Sequence, residues 1–116
     1  MASWEMTYDS DEDLLLVTFE SFDDTLARTI ALNDNITLYT DAFMNAGWGL
    51  EIYGYAALLQ VNETYLDGLR PLSEADARRV LRVLDTGCLT AFLRVTDPGE
   101  LLAVLRAPHV TELLAM

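Results

Sequence analysis

Alternation of apolar and polar residues dominates the first half of the chain and predicts β-strands. Trp4, Met6 and Tyr8 alternate with polar residues, and an acidic turn over 9–13 separates them from the apolar segment 14–20. Further alternating segments follow after short turns, which is typical of an antiparallel meander. The predicted strands cover residues 4–8, 14–20, 25–32, 36–40 and 48–55.

Helical spacing replaces this alternation after residue 55. Ser73 predicts a helix N-cap, and Glu74 stands four residues before Arg78, the spacing of a helix-surface ion pair. The run Asp97-Pro98-Gly99-Glu100 predicts another helix start, because Asp suits the N-cap, Pro the first position and Glu the third. Helix or strand is open for 56–70 and 88–95: helical spacing fits the first segment loosely, with an interruption near 62–64, and we expect helix in the second.

The two patterns together predict an α+β fold. An antiparallel β-meander of about five strands would be followed by C-terminal α-helices packed on one face. A length of 116 residues fits a single domain spanning 1–116, with 1–55 mainly strands and 56–116 mainly helices. No apolar run is long enough for a membrane helix, and residues 1–6 do not resemble a signal peptide, so we expect a cytoplasmic protein without membrane contact.

The net negative charge is confined to the first part of the chain. Of nineteen acidic residues, thirteen lie in 1–67 together with Arg28 alone, so this part carries the whole net charge of −12. Such a field repels nucleic acid and anionic membranes and favours a basic protein partner or a cation. The alternative interpretation is that the acidity keeps a small apolar protein soluble.

The acidic turn contains candidate metal ligands. Asp9, Asp11 and Asp13 with Glu20 have the oxygen-ligand spacing of a calcium-binding loop, but Leu14 stands where the loop requires Gly. A strand from Leu14 onward would place Glu20 about 20 Å from Asp13. We therefore predict no cofactor, and only Asp9, Asp11 and Asp13 are retained as candidates for a surface cation site.

Candidate catalytic groups are scattered rather than arranged in a motif. Cys88, His109 and Asp97 include the residue types of a nucleophilic triad, but a set of one each arises readily by chance. A carboxylate pair such as Glu20 and Glu51 would need to face across a cleft. No catalytic residue is predicted, and the sequence favours a protein that is not an enzyme.

Three tyrosines predict an interaction surface. Tyr39, Tyr53 and Tyr55 fall opposite the face assigned to the core, and exposed aromatic residues on a sheet face mark partner or dimer contacts. The alternative is that the C-terminal helices cover that face. The arginines of 78–82 are balanced by neighbouring acids, so no nucleic-acid surface is predicted.

The segment Y-D-S-D-E-D-L-L-L-V resembles a family of short bacterial domains of unknown function. Their hallmark is a Tyr-Asp, a turn, an Asp four residues after the first, and an alternating strand, and Tyr8, Asp9, Asp13 and Leu15 stand in those places. The resemblance covers roughly residues 7–59. It implies a small antiparallel sheet, often encoded beside toxin-like partners, and carries over no catalytic residues.

These observations lead to three functional hypotheses. The first is a non-enzymatic interaction module, antitoxin-like or regulatory, that presents its acidic half to a basic partner. The alternative is a small-ligand-binding protein or enzyme with a pocket between sheet and helices. The third is a homodimer with a structural role.

Overall fold

The structure is a computed structural model that describes residues 4–19, 25–61, 63–85, 89 and 92–105. Among these residues it contains two antiparallel sheets, two α-helices and a short 3₁₀ helix. In chain order the elements are β1 (Trp4–Asp9), β2 (Leu14–Phe19), β3 (Arg28–Ala31), β4 (Ile36–Thr40), β5 (Gly47–Tyr53), α1 (Tyr55–Val61), β6 (Glu63–Tyr65), the 3₁₀ helix (Asp67–Leu69), α2 (Glu74–Leu84), β7 (Leu93–Asp97) and β8 (Leu102–Leu105).

The first five strands form one antiparallel sheet, which confirms the α+β class and the five-stranded sheet. Its strand order is β1-β2-β5-β4-β3, so the prediction of a sequential meander is wrong. Strands β3, β4 and β5 follow one another as hairpins, and β5 then pairs with β2, which is a Greek-key order. This order places β2 and β5, two of the most apolar strands, side by side in the interior of the sheet, where each is paired on both of its edges.

One face of this sheet carries the core. Across the sheet, Met6, Val17, Leu50, Leu38 and Ile30 stand in one row of the register. Val17, Leu50 and Leu38 are fully buried. Because side chains alternate along each strand, the other face presents the intervening residues.

The second half contains a three-stranded sheet where the sequence predicted helices. Its order is β6-β8-β7, and β7 and β8 form a hairpin. The expected helix from Asp97 onward is therefore wrong, as is helix at the end of 88–95. Asp97 does accept a hydrogen bond from the Glu100 backbone N–H, at 3.3 Å, but this bond closes a turn rather than capping a helix. Leu101 ends the turn with a φ of 58°.

Helix α2 follows its sequence signals closely. The Ser73 hydroxyl accepts a hydrogen bond from the Asp76 N–H at 3.1 Å, as an N-cap residue does. The Arg78 guanidinium contacts the Glu74 carboxylate at 2.8 Å, which confirms the predicted pair. The helix buries one side in a core cluster shared by both sheets. The expected set of C-terminal helices on one face is not confirmed, because the described part of the second half contains α2, the two-turn helix α1 and a three-stranded sheet.

The segment 56–70 divides into α1, β6 and the 3₁₀ helix rather than one helix. Its β6 and 3₁₀ parts are hydrogen-bonded to the turn between β3 and β4. The Asn33 side-chain amide donates to the Thr64 hydroxyl and to the Tyr65 carbonyl, both at 3.0 Å. The Gly68 N–H donates to the Leu32 carbonyl at 2.8 Å. Only glycine fits there, because a Cβ at Gly68 would lie 2.0 Å from a backbone oxygen of β3.

Candidate functional site

The acidic turn between β1 and β2 is organised by its own backbone. The Asp9 carboxylate accepts hydrogen bonds from the N–H groups of Asp11 and Glu12, at 2.9 and 3.4 Å. This is the local Asx arrangement by which Asp residues stabilise tight turns. Asp9, Asp11 and Glu12 are exposed to solvent.

Asp13 has a different role from the other acids of the turn. Its backbone has a φ of 52°, and its carboxylate accepts a hydrogen bond from the Tyr8 hydroxyl at 2.5 Å. The same carboxylate accepts from the Ala56 N–H, at 3.0 and 3.1 Å to its two oxygens. Ala56 lies in the first turn of α1, so Asp13 caps this helix from a distant part of the chain.

The Asp13 carbonyl completes this junction by accepting from the N–H groups of Gly54 and Tyr55, at 2.8 and 3.1 Å. The Tyr8 and Tyr55 rings pack beside it, with their centroids 6.3 Å apart. The hydrogen bond to Asp13, followed by burial and by the nearby negative charges, raises the pKa of Tyr8 to about 12. The cluster therefore joins the β1–β2 turn to α1.

The three candidate metal ligands do not converge. The Asp13 carboxylate faces Tyr8 and Ala56, while the Asp9 carboxylate is turned towards the backbone of its own turn. Within the described residues, no group of three or more His, Cys, Asp or Glu side chains could hold a metal ion.

The outer face of the five-stranded sheet, the face opposite the core, is the second candidate surface. One row of the register reads Thr7, Leu16, Glu51, Thr37 and Ala31 from edge to edge. The next rows add Glu5, Thr18, Tyr39 and Thr29 on one side, and Asp9, Leu14 and Tyr53 on the other. The described residues of this face include acids and no basic residue.

The predicted interaction tyrosines are placed differently from one another. Tyr53 lies on the outer face and is 45% exposed, whereas Tyr39 is half-buried there and donates to the Glu51 carboxylate at 3.3 Å. Burial, and secondarily the Glu51 charge, raises the pKa of Tyr39. Tyr55 is fully buried in α1, so its expected position on the outer face is wrong. Strand β5 ends at Tyr53, and the next residue, Gly54, has a φ of 69° and interrupts the alternation.

Strand β7 is flanked by two cavities that the sequence did not suggest. One, of about 390 Å³, is lined by Arg94, Val95, Thr96 and Val104. The other, of about 370 Å³, lies between β7 and α2 and is lined by Arg78, Leu81, Arg82, Asp85, Val95 and Pro98. Neither lies between the five-stranded sheet and a helix, where a ligand pocket was expected. The arginines could be found from the sequence, but their position beside β7 depends on a hairpin that was predicted as helix.

Other sequence candidates lie outside the described residues, namely Glu20, Cys88 and His109. Asp97 is described and takes part in the β7–β8 turn. None of the described helices has the length and apolar character needed to cross a membrane. No family model, curated protein or solved structure matches this chain.

Proposed function

We propose that the protein is a non-enzymatic interaction module that binds a basic protein partner on the outer face of its five-stranded sheet. The observation that carries the proposal is the composition of this face. Exposed and half-buried aromatic and aliphatic side chains lie beside carboxylates, and the described part of the face contains no basic residue.

The apolar contribution comes from the centre and one end of the face. Tyr53 stands opposite Leu14, and Leu16 follows one row further along, with both leucines half-buried. Tyrosine provides a large contact area at a small entropic cost, which makes it effective at interfaces. A partner that covers this cluster would remove apolar area from water.

The charged contribution comes from Glu5 and Glu51. Glu51 lies in an interior strand and is held by Tyr39, whereas Glu5 is exposed on the edge strand β1. Residues 1–67 carry the whole net charge of −12, so the surrounding field attracts a basic surface. The resemblance of residues 7–59 to domains encoded beside toxin-like partners favours an antitoxin-like or regulatory role.

This proposal is tested by comparing the proteins that the wild type and an outer-face variant capture from lysate. The tagged protein and a Glu5→Arg/Tyr53→Ser variant are used as bait in lysate of the source cell, and bound proteins are identified by mass spectrometry. Glu100→Arg is the matched control, because Glu100 is an exposed acid in the β7–β8 turn, away from this face. We expect a basic protein that is captured by the wild type and the control but not by the outer-face variant.

Three outcomes would contradict the proposal. Capture that is unchanged by the outer-face variant would place the binding surface elsewhere. An acidic captured partner would contradict the charge argument. A homodimer that light scattering detects in the wild type and not in the outer-face variant would show that a second copy, rather than a basic partner, occupies the face.

A further inference from the structure

The open edge of β7 is a second surface with the opposite charge preference. Within the described residues β7 pairs with β8 only, so it is an edge strand of the three-stranded sheet. In an antiparallel ladder, every second residue of an edge strand directs its N–H and C=O away from its partner. These groups are available to another extended chain.

A cavity lies on each face of β7, and Val95 lines both of them. Leu81 on α2 and Pro98 in the following turn provide apolar lining, and α2 forms one wall. On the other face of β7, the second cavity is lined by Arg94, Thr96 and the β8 residue Val104, which pairs with Arg94. A strand lying along β7 would thus have backbone partners beside it and space for side chains on both of its faces.

The charge around the two cavities determines the partner. Arg78, Arg82 and Arg94 line the two cavities against a single acid, Asp85, although the protein has only seven basic residues in total. Arg78 is paired with Glu74, but no ion pair among the described residues engages Arg82 or Arg94. Two guanidinium groups, one on each side of the strand edge, are thus available to carboxylates.

We propose that β7 binds an extended acidic peptide segment as an additional strand, with Arg82 and Arg94 contacting its carboxylates. Backbone hydrogen bonds to the β7 edge would supply much of the affinity, and the arginines would select for acidic side chains. This surface is independent of the proposed outer-face function, because it lies on the other sheet and favours a partner of opposite charge.

Peptide titration of the intact protein provides the test. The probe is a fluorescein-labelled peptide of alternating valine and glutamate, with an alternating valine–lysine peptide for comparison. Binding is measured by fluorescence anisotropy and by amide chemical shifts. We expect the glutamate peptide to bind and to shift the amide signals of 93–97, and the lysine peptide to leave them unchanged.

Two comparisons separate the contributions of charge and backbone. Arg82→Gln/Arg94→Gln should weaken binding about tenfold or more, since charge-assisted hydrogen bonds are lost. Arg70→Gln/Arg79→Gln removes the same charge from exposed positions outside the cavities and should change binding less than about twofold. A glutamate peptide with methylated backbone nitrogens should lose binding, because it cannot donate to the β7 carbonyls.

Several results would overturn the proposal. It fails if the glutamate peptide does not bind at millimolar concentration, or if the lysine peptide binds more tightly. It also fails if the control variant loses as much affinity as Arg82→Gln/Arg94→Gln, or if the methylated peptide binds as tightly as the unmodified one. If the protein instead self-associates in light scattering and Arg82→Gln/Arg94→Gln abolishes this association, a second copy occupies the edge, which also refutes an acidic peptide partner.

Discussion

Replacement of Asp13 tests how much the junction between the β1–β2 turn and α1 stabilises the fold. Asp13→Gly keeps a residue that accepts the φ of 52° but removes the carboxylate that binds Tyr8 and Ala56. Asp13→Asn also tolerates this φ and keeps one acceptor oxygen, which can serve only one of the two donors well. Asp13→Ala loses the carboxylate and also adopts the positive φ at a steric cost.

The expected losses follow from the bonds removed. A hydrogen bond to a charged group contributes about 1.5–3 kcal/mol, and loss of a helix cap costs about 1 kcal/mol. Because water reaches the half-buried Tyr8 and offsets part of this, we expect Asp13→Gly to lower the free energy of unfolding by about 2–3 kcal/mol. Asp13→Asn should lose about 1 kcal/mol, and Asp13→Ala should lose at least as much as Asp13→Gly.

Urea denaturation, monitored by tryptophan fluorescence, measures these differences. The comparison requires that the slope of the unfolding free energy against urea concentration is the same in each variant. Asp9→Asn is the matched control, since Asp9 is an exposed carboxylate of the same turn and should change stability by less than about 0.5 kcal/mol. An Asp13→Gly protein as stable as the control would refute the reasoning, because the carboxylate would then make no net contribution.

Three further predictions concern other parts of the structure. Because the folded pKa of Tyr8 is raised from 10 to about 12, the stabilisation that its hydroxyl provides is complete below pH 10 and is lost as the pH rises towards 12. The midpoint temperature of thermal unfolding should therefore fall more steeply between these pH values for the wild type than for Tyr8→Phe. Gly68→Ala should lower the unfolding free energy by about 2–3 kcal/mol, because the new methyl group meets the Ala31 carbonyl, and an unchanged urea midpoint would contradict this close contact. Ser73→Ala should cost about 1 kcal/mol by removing the cap of α2, whereas Ser73→Asp should restore it, as measured by urea denaturation.

Local signals in the sequence predicted local structure well. The first hairpin, the cap at Ser73 and the pair between Glu74 and Arg78 each depend on residues close together in the chain. The pairing of β2 with β5 depends on residues more than thirty positions apart, for which neither alternation nor turn chemistry contains information.

The run from Asp97 to Glu100 shows why the second half was predicted as helix. An Asp that accepts from an N–H three residues later occurs both at a helix start and in a turn, and Pro and Gly are suited to both settings. The pairing of β8 with both β6 and β7 favours the hairpin, and it involves residues that lie up to about forty positions away. The two cavities beside β7 could not be predicted without this pairing.

The Asp13 cluster was predicted only in part. The sequence predicts this carboxylate as one of three aspartates in a turn, but its partner at Ala56 lies 43 residues away. The Tyr8 hydroxyl, five residues before Asp13, was the available signal, because a tyrosine at the end of a strand can reach across the following turn. The turn acids therefore have different roles that their spacing does not distinguish.

The late pairing of β5 with β2 has a consequence for synthesis on the ribosome. β1 and β2 can form their hairpin early, but the other edge of β2 is not fully paired until the chain reaches Tyr53, 34 residues after Phe19. At about 5–20 residues per second, this interval lasts about 2–7 s. The four acids of 9–13 lie beside that apolar strand, where their mutual repulsion opposes pairing between nascent chains.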